Sequence, residues 1–265
     1  MDAVLLNVTD GVATITFNQP ASRNAFTPEV RDAMSQIVPQ VLHDSEVRAV
    51  VLTGSGGVFC AGGDIRGMQE RIGHFDVKEV RARMGELYTW VRELIETDKP
   101  VIAAVDGAAF GAGFSLALAA DVVVATTRSR FCLSFMRIGL VPDCGAFYTL
   151  PRVVGVQRAK ELMLSARELD VNEAQRLGVV MEIVDDEVAL QQTAQTYARS
   201  FSNASSLAAG LIKERIGSAL QTDLDTVLLN ETNDQALCFA DPYNAQAVQR
   251  FMNKEPTLYQ WPAKA

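Results

Sequence analysis

The chain has 265 residues, 48% of them hydrophobic and 21% charged, which suits one large core or a domain with an appendage. With 24 Lys and Arg against 32 Asp and Glu the net charge is −8, so nucleic acid is not the expected partner, and an anionic ligand has to be held by local cations and helix N-termini. No apolar run reaches membrane-spanning length, and MDAVLLNVTDG lacks the regions of a signal peptide; a cytoplasmic protein with no membrane partner is expected.

Residues 3–17 read as a β-hairpin about Asp10-Gly11, with Val4, Leu6 and Val8 before the turn and Val12, Ile15 and Phe17 after it. A loop over 18–26 leads to Thr27-Pro28-Glu29, a helix start with an N-cap Thr and Pro at the first helical position. That helix runs to about His43, with Val30, Met34, Ile37, Val38 and Val41 on its apolar face. A strand over 48–53 enters the glycine loop Gly54-Ser55-Gly56-Gly57, and Phe59 to Ile65 leads into a short helix. Residues 76–97 form a long amphipathic helix with Val80, Met84, Leu87, Val91, Leu94 and Ile95 at helical spacing.

The stretch 100–121 is central to the chain. Val101 to Val105 is a strand, Asp106-Gly107 breaks it, and Gly111-Ala112-Gly113 opens a helix through Leu118. Strands at 122–125 and 179–184, an extended piece at 130–134, a loop at 138–145 and helices at about 145, 156–165, 171–177 and 186–200 follow. Residues 203–252 read as helical throughout. The expected organisation is therefore a mixed α/β head over 1–200 and a helical region over 201–265 that needs a further surface to pack on, such as a neighbouring subunit.

Two strand–glycine-loop–helix units, at 50–65 and 101–120, can each present backbone N–H groups that side chains hinder little. Two such donors aimed at one point are what an oxyanion hole requires; taken singly, either loop serves equally well as a turn. Cys60, Cys132, Cys144 and Cys238 form no CxxC pair, and His43 and His74 stand far from each, so neither a metal site nor a disulfide framework is expected. Asp64 sits where an N-cap is useful, and Asp143, between Pro142 and Cys144-Gly145, suits a turn. Ser115 lacks a G-x-S-x-G setting and reads as a helix residue.

FCAGGDI at 59–65, DGAAFGAGFSLALAAD at 106–121 and IGLVPDCGAFYTLPRVVG at 138–155, in this order, resemble the enoyl-CoA hydratase/isomerase (crotonase) superfamily. The later RAKELMLSARELDVNEAQRLGVV and RFMNK extend the resemblance over nearly the whole chain. It implies a crotonase-like spiral of ββα units with a C-terminal helical region. It also implies an acyl-CoA thioester as substrate, with coenzyme A part of the substrate and no other cofactor, and a homotrimer or hexamer.

By position, the resemblance puts the oxyanion hole on the N–H groups of Gly63 and Ala112. Where the hydratases of the family carry two glutamates, this chain has Ser115 and Phe135. Where several of its isomerases, among them phenylacetate-pathway and Δ3,Δ2-enoyl-CoA types, carry one carboxylate, this chain has Asp143. The implied activity is an isomerase that shifts a double bond through an enolate; the alternatives are an enoyl-CoA hydratase, a thioester hydrolase and a non-catalytic acyl-CoA-binding protein. Arg23, Arg66 and Lys254 are candidate cations for the coenzyme A phosphates; the resemblance places Ala61, Asp64 and Ile65 near the adenine and pantetheine and adds Phe251 and Lys254 from the last helix, with Ala25 a further expected substrate-binding residue. Met68, Phe135, Leu140 and Phe147 are the expected walls around Asp143.

Overall fold

The structure, a computed structural model, describes residues 2–263. The chain opens with the hairpin β1 (Val4–Thr9) and β2 (Val12–Phe17), turned by Asp10 and Gly11, both at positive φ, followed by α1 (Pro28–His43). Thr27 caps α1 through the Val30 N–H, with Pro28 at its first position. Then come β3 (Ala49–Gly54), α2 (Ile65–Glu70) and α3 (Val77–Glu96). The centre holds β4 (Val101–Val105), β5 (Ala108–Phe110), α4 (Ala112–Leu118), β6 (Val122–Thr126) and β7 (Arg130–Cys132), with a 3-10 helix at Ser134–Ile138. Next are α5 (Ala146–Val154), α6 (Val156–Ser165), β8 (Leu169–Asp170), α7 (Val171–Arg176), β9 (Glu182–Val184) and α8 (Glu187–Ser200). The last helices are α9 (Ser206–Ser218), α10 (Leu224–Ala240) and α11 (Pro242–Met252).

The larger sheet has the order β1-β2-β3-β4-β6-β9, parallel throughout except for β1 on β2. The smaller sheet has the order β5-β7-β8, and Cys60 extends it by a bridge to Ala109. A strand of the large sheet, an extended piece in the small one and a helix therefore recur three times: β3–Cys60–α2, β4–β5–α4, and β6–β7 with the 3-10 turn. This is a spiral of ββα units.

Period-two alternation along β3 and β4 explains how both faces of the large sheet are filled. Val50, Leu52, Val101 and Ala103 enter the core shared with α1, α3 and α4; Ala49, Val51, Ile102 and Ala104 face Leu190, Ala194 and Tyr197 of α8.

Three local expectations change. The run to Val105 does not pass straight into a helix; Ala108–Phe110 forms β5 first, held by Phe110 N–H to Cys60 O and Cys60 N–H to Ala108 O. The strand expected over 179–184 is confined to Glu182–Val184, because the N–H groups of Val179 and Val180 both turn to the Ala174 carbonyl. The extended piece at 130–134 ends at Cys132. The C-terminal helices are anchored to the preceding residues: Lys213 of α9 pairs with Asp121 and donates to Lys99 O at 2.8 Å, and Tyr148 of α5 donates to Gly217 O.

Candidate active site

Asn24 fixes the first donor loop. Wholly buried, its side chain accepts from Gln19 N–H (2.8 Å) and donates to the carbonyls of Ser55 (2.9 Å) and Val58 (2.6 Å). The segment that it holds then binds the next part of the loop: Ala61 N–H donates to Arg23 O (3.0 Å), and Phe26 N–H donates to Gly62 O (2.7 Å). Nothing in the pattern 18–26 singled out Asn24; its signal is an Asn in a loop at positive φ.

The second loop lies directly on the first. A Cβ at Gly62 would stand 2.8 Å from Phe110 O and 3.5 Å from Gly111 Cα, and one at Gly113 would run into the Cys60 carbonyl. Only glycine allows this approach, and at Gly62 a φ of 95° asks for it as well. The neighbouring N–H groups are spent: Phe110 on Cys60 O, Gly111 on Cys132 O (2.8 Å). Among the described residues the N–H groups of Gly63 and Ala112 have no acceptor. Two backbone donors thus stand unpaired on adjoining loops, the type of group from which an oxyanion hole is built.

Asp143 lies in the loop before α5, followed by Cys144 and Gly145 at positive φ. Its Oδ1 is buried without a partner. Burial raises its pKa above the usual carboxylate value, partly offset by the Cys144 thiol and its own backbone. Burial pushes the Cys60 thiol up to about 12 and the Cys144 thiol well above its ordinary value, with the charge of Asp143 adding to both, which favours the neutral thiol over the nucleophilic thiolate. All four cysteines are free.

The remaining expected residues divide into two groups. Met68 places its methyl 2.8 Å from where a Gly63 Cβ would be, and the Phe135 ring lies 3.8 Å from the equivalent point at Gly111, so these two side chains flank the donors. Leu140 is held to Phe135 by an N–H to carbonyl bond of 3.0 Å, with its side chain 45% exposed; Phe147 is exposed too. Arg23, Ala25, Ala61, Asp64 and Ile65 all sit on or beside the first donor loop, with Arg23, Ile65 and Arg66 exposed. Asp64 caps α2 by accepting from Gly67 N–H at 3.1 Å. Ser115 is buried, its hydroxyl bonded back to Gly111 O at 3.3 Å, as Ser does inside a helix. Phe251 and Lys254 stand apart: α11 packs on α10, both residues are exposed, and nothing among the described residues ties them to the donors within one chain.

One residue absent from the sequence reading is electrostatically linked to Asp143. Burial raises the pKa of Tyr88, on α3, and the charges of Asp143 and Cys144 add to the rise. Fifty-five residues separate it from Asp143, so no sequence motif could contain both.

Comparison with known proteins agrees with this architecture. The family model described as enoyl-CoA hydratase/isomerase matches residues 7–261. The chain is 37% identical to the 1,2-epoxyphenylacetyl-CoA isomerase of Escherichia coli, over 96% of this chain and 97% of that one. It is 34% identical to the short-chain-enoyl-CoA hydratase of Clostridium acetobutylicum over 96% of both. The crystal structure of an enoyl-CoA hydratase/isomerase from Cupriavidus metallidurans superposes with a TM-score of 0.92 at 38% identity, covering 100% of this chain and 99% of that one. With its three ββα turns, its C-terminal helices and a match over nearly its full length, the chain belongs to the enoyl-CoA hydratase/isomerase family.

Proposed function

We propose that this family member is an acyl-CoA isomerase with a single acid/base, Asp143. The observation that carries the reading is a carboxylate with one buried, unpartnered oxygen, in a chain whose two unpaired backbone donors stand on adjoining loops and whose other two family positions hold Phe135 and a self-bonded Ser115. The thioester carbonyl of a 3-enoyl-CoA accepts the N–H groups of Gly63 and Ala112. Asp143 removes a proton from C2, and the negative charge passes to the carbonyl oxygen as a dienolate. The same carboxyl then returns the proton at C4, the double bond moves to C2–C3, and the enzyme is unchanged. An apolar setting keeps Asp143 basic enough for the first step, and as an acid it serves the second.

Coenzyme A enters as part of the substrate. Phe251 and Lys254 reach it from a neighbouring subunit, in a homotrimer or hexamer. Hydration is the competing reading, favoured by the hydratase among the relatives; it requires a held water and a group to manage its protons, which Phe135 does not supply.

The deciding experiment incubates purified protein with 3-enoyl- and 2-enoyl-CoA thioesters in deuterated water. The expected result is conversion of 3-enoyl- to 2-enoyl-CoA with the proton from C2 carried to C4, without added water across the double bond, and its loss in Asp143→Asn. A 3-hydroxyacyl product from 2-enoyl-CoA, or full isomerase activity in the variant, rejects the assignment.

A further inference from the structure

The loop that carries Asp143 is thinly held. From Val141 to Gly145 no backbone N–H reaches the carbonyl of another described residue, and Leu140 and Val141 expose their side chains. A single turn closes the segment: Ala146 N–H donates to the Asp143 carbonyl at 3.1 Å, with Cys144 and Gly145 between them at φ 48° and 80°. Positive φ at both central residues is the pattern of a type I′ turn, which draws on Gly, Asn and Asp because other side chains crowd the backbone there. Gly145 suits the pattern, and a Cβ on it would stand 2.9 Å from Ile95 Cδ1. Cys144 does not suit it, since a glycine would make the same turn without strain. Its side chain is instead wholly buried in the main core.

We propose that Cys144 is a positioning residue for Asp143: its side chain, seated in the core, fixes the turn that keeps the neighbouring carboxyl directed into the protein. The inference rests on the isomerase reading for what Asp143 does. Left-handed backbone at a residue other than glycine persists only where the surroundings over-determine it. Of the two central residues of the turn, only Cys144 carries a side chain that can be gripped, and the core grips it. A carboxylate is drawn towards water, and the exposed, unbonded loop before Asp143 does nothing to oppose its swinging outward. With its covalent neighbour pinned in the core, Asp143 keeps Oδ1 buried and unpartnered, the condition under which a carboxylate is a stronger base than in water. The groups that sense its charge are Cys60, Cys144 and Tyr88, each held neutral by burial. How deeply the carboxyl is buried, rather than a charged partner, therefore governs its basicity.

The test compares Cys144→Gly, which takes the same backbone without strain and has no side chain to seat, with Cys144→Ser, which keeps the size of the side chain. Each variant is read in two ways: by isomerisation of a 3-enoyl-CoA, and by titration of the Asp143 carboxyl in carbon NMR on protein labelled at aspartate Cγ, the signal being identified by its loss in Asp143→Asn. In Cys144→Gly, kcat is expected to fall by about tenfold or more with KM changed by about twofold or less. Its Asp143 carboxyl is expected to titrate in the ordinary carboxylate range. Cys144→Ser is expected to keep kcat within about threefold of the wild type, with the titration still raised. A Cys144→Gly protein with unchanged kcat and titration overturns the proposal whatever its melting temperature, because Cys144 then only fills the core. Equal losses in both variants overturn it too, since the sulfur and not the seated side chain would then be what matters. The NMR reading needs no turnover, so the two inferences fail separately. If the wild type isomerises no thioester while its Asp143 titration is raised and only Cys144→Gly lowers it, the isomerase reading fails and the positioning of Asp143 stands.

Discussion

Asp143 is held in a state that costs the fold and serves the chemistry. Burial raises its pKa, so the protonated form favours the native state; that contribution is complete below the pKa of the unfolded chain and is lost as pH rises through the higher folded value. At neutral pH the charged carboxylate is therefore a destabilising element with a buried, unpartnered Oδ1. Asp143→Asn should melt higher than the wild type at pH 7–8, with the gap narrowing as the buffer is made acidic, as followed by thermal denaturation across pH. Its isomerase activity should fall by roughly 10² to 10⁴. In the wild type the acid limb of kcat/KM should lie above the usual carboxylate value, since proton removal from C2 needs the ionised form. A variant that loses both activity and melting temperature would point to a structural role for the carboxylate instead.

At the scale of elements, the two donors depend on how closely the glycine loops approach. Gly113 has no room for a side chain against the Cys60 carbonyl, so Gly113→Ala must push α4 away from the first loop. Overpacking of this kind costs about 1–3 kcal/mol. Here it should also lower kcat by about tenfold or more with a smaller change in KM, because Ala112 moves with the helix. Asn24→Ala tests the other side: it strands one N–H and two carbonyls, each a loss of about 1–3 kcal/mol where water cannot enter. The expected signature is a lower melting temperature together with a fall in kcat that Asn24→Asp does not fully repair, since a carboxylate cannot donate to Ser55 and Val58. Unchanged kinetics in a folded Asn24→Ala would separate this clamp from the donor loop.

The same elements show what the sequence made visible. β3 and β4 stand out as apolar runs bounded by glycine, α1 by its Thr-Pro start, and the donor loops by their small residues; these are local signals. β5 is three residues long and continues an apolar run, so only its pairing with β7 and with Cys60 identifies it. The role of Asn24 likewise depends on partners brought together by the fold, and no periodicity encodes those. The two glycine-rich loops were legible as places that can present backbone donors, while the choice of Gly63 and Ala112 within them came from the family resemblance. Asp143, read alone, suited a turn better than an acid/base role, and only the family resemblance reversed that.

At the scale of the molecule, the C-terminal helices are an unfinished surface. None of the residues of α9, α10 or α11 is buried in the single chain, although Ile216 (70% exposed), Leu224 (70%), Phe239 (72%) and Phe251 (74%) are large and apolar. One side of this arm is fastened, by Lys213 to Asp121 and by Tyr148 to Gly217, and Arg215 ties α9 to α10 through Asp234 at 2.6 and 3.0 Å. A helical layer so anchored cannot fold its apolar side inward. Large apolar side chains left exposed on three successive helices are what a subunit interface would cover. In the proposed trimer or hexamer the same association carries Phe251 and Lys254 to the site that they do not reach within one chain. Light scattering should therefore give the mass of three or six 28.8-kDa chains. The double variant Leu237→Glu, Phe239→Glu should dissociate, because it buries like charges at every symmetry-related contact. If the site is completed across subunits, dissociated chains should show a raised KM for the acyl-CoA, restored when the protein concentration drives reassembly, with the thermal transition of the head preserved. A monomer of full activity and unchanged KM would mean that one chain suffices and that the exposed helices serve some other contact.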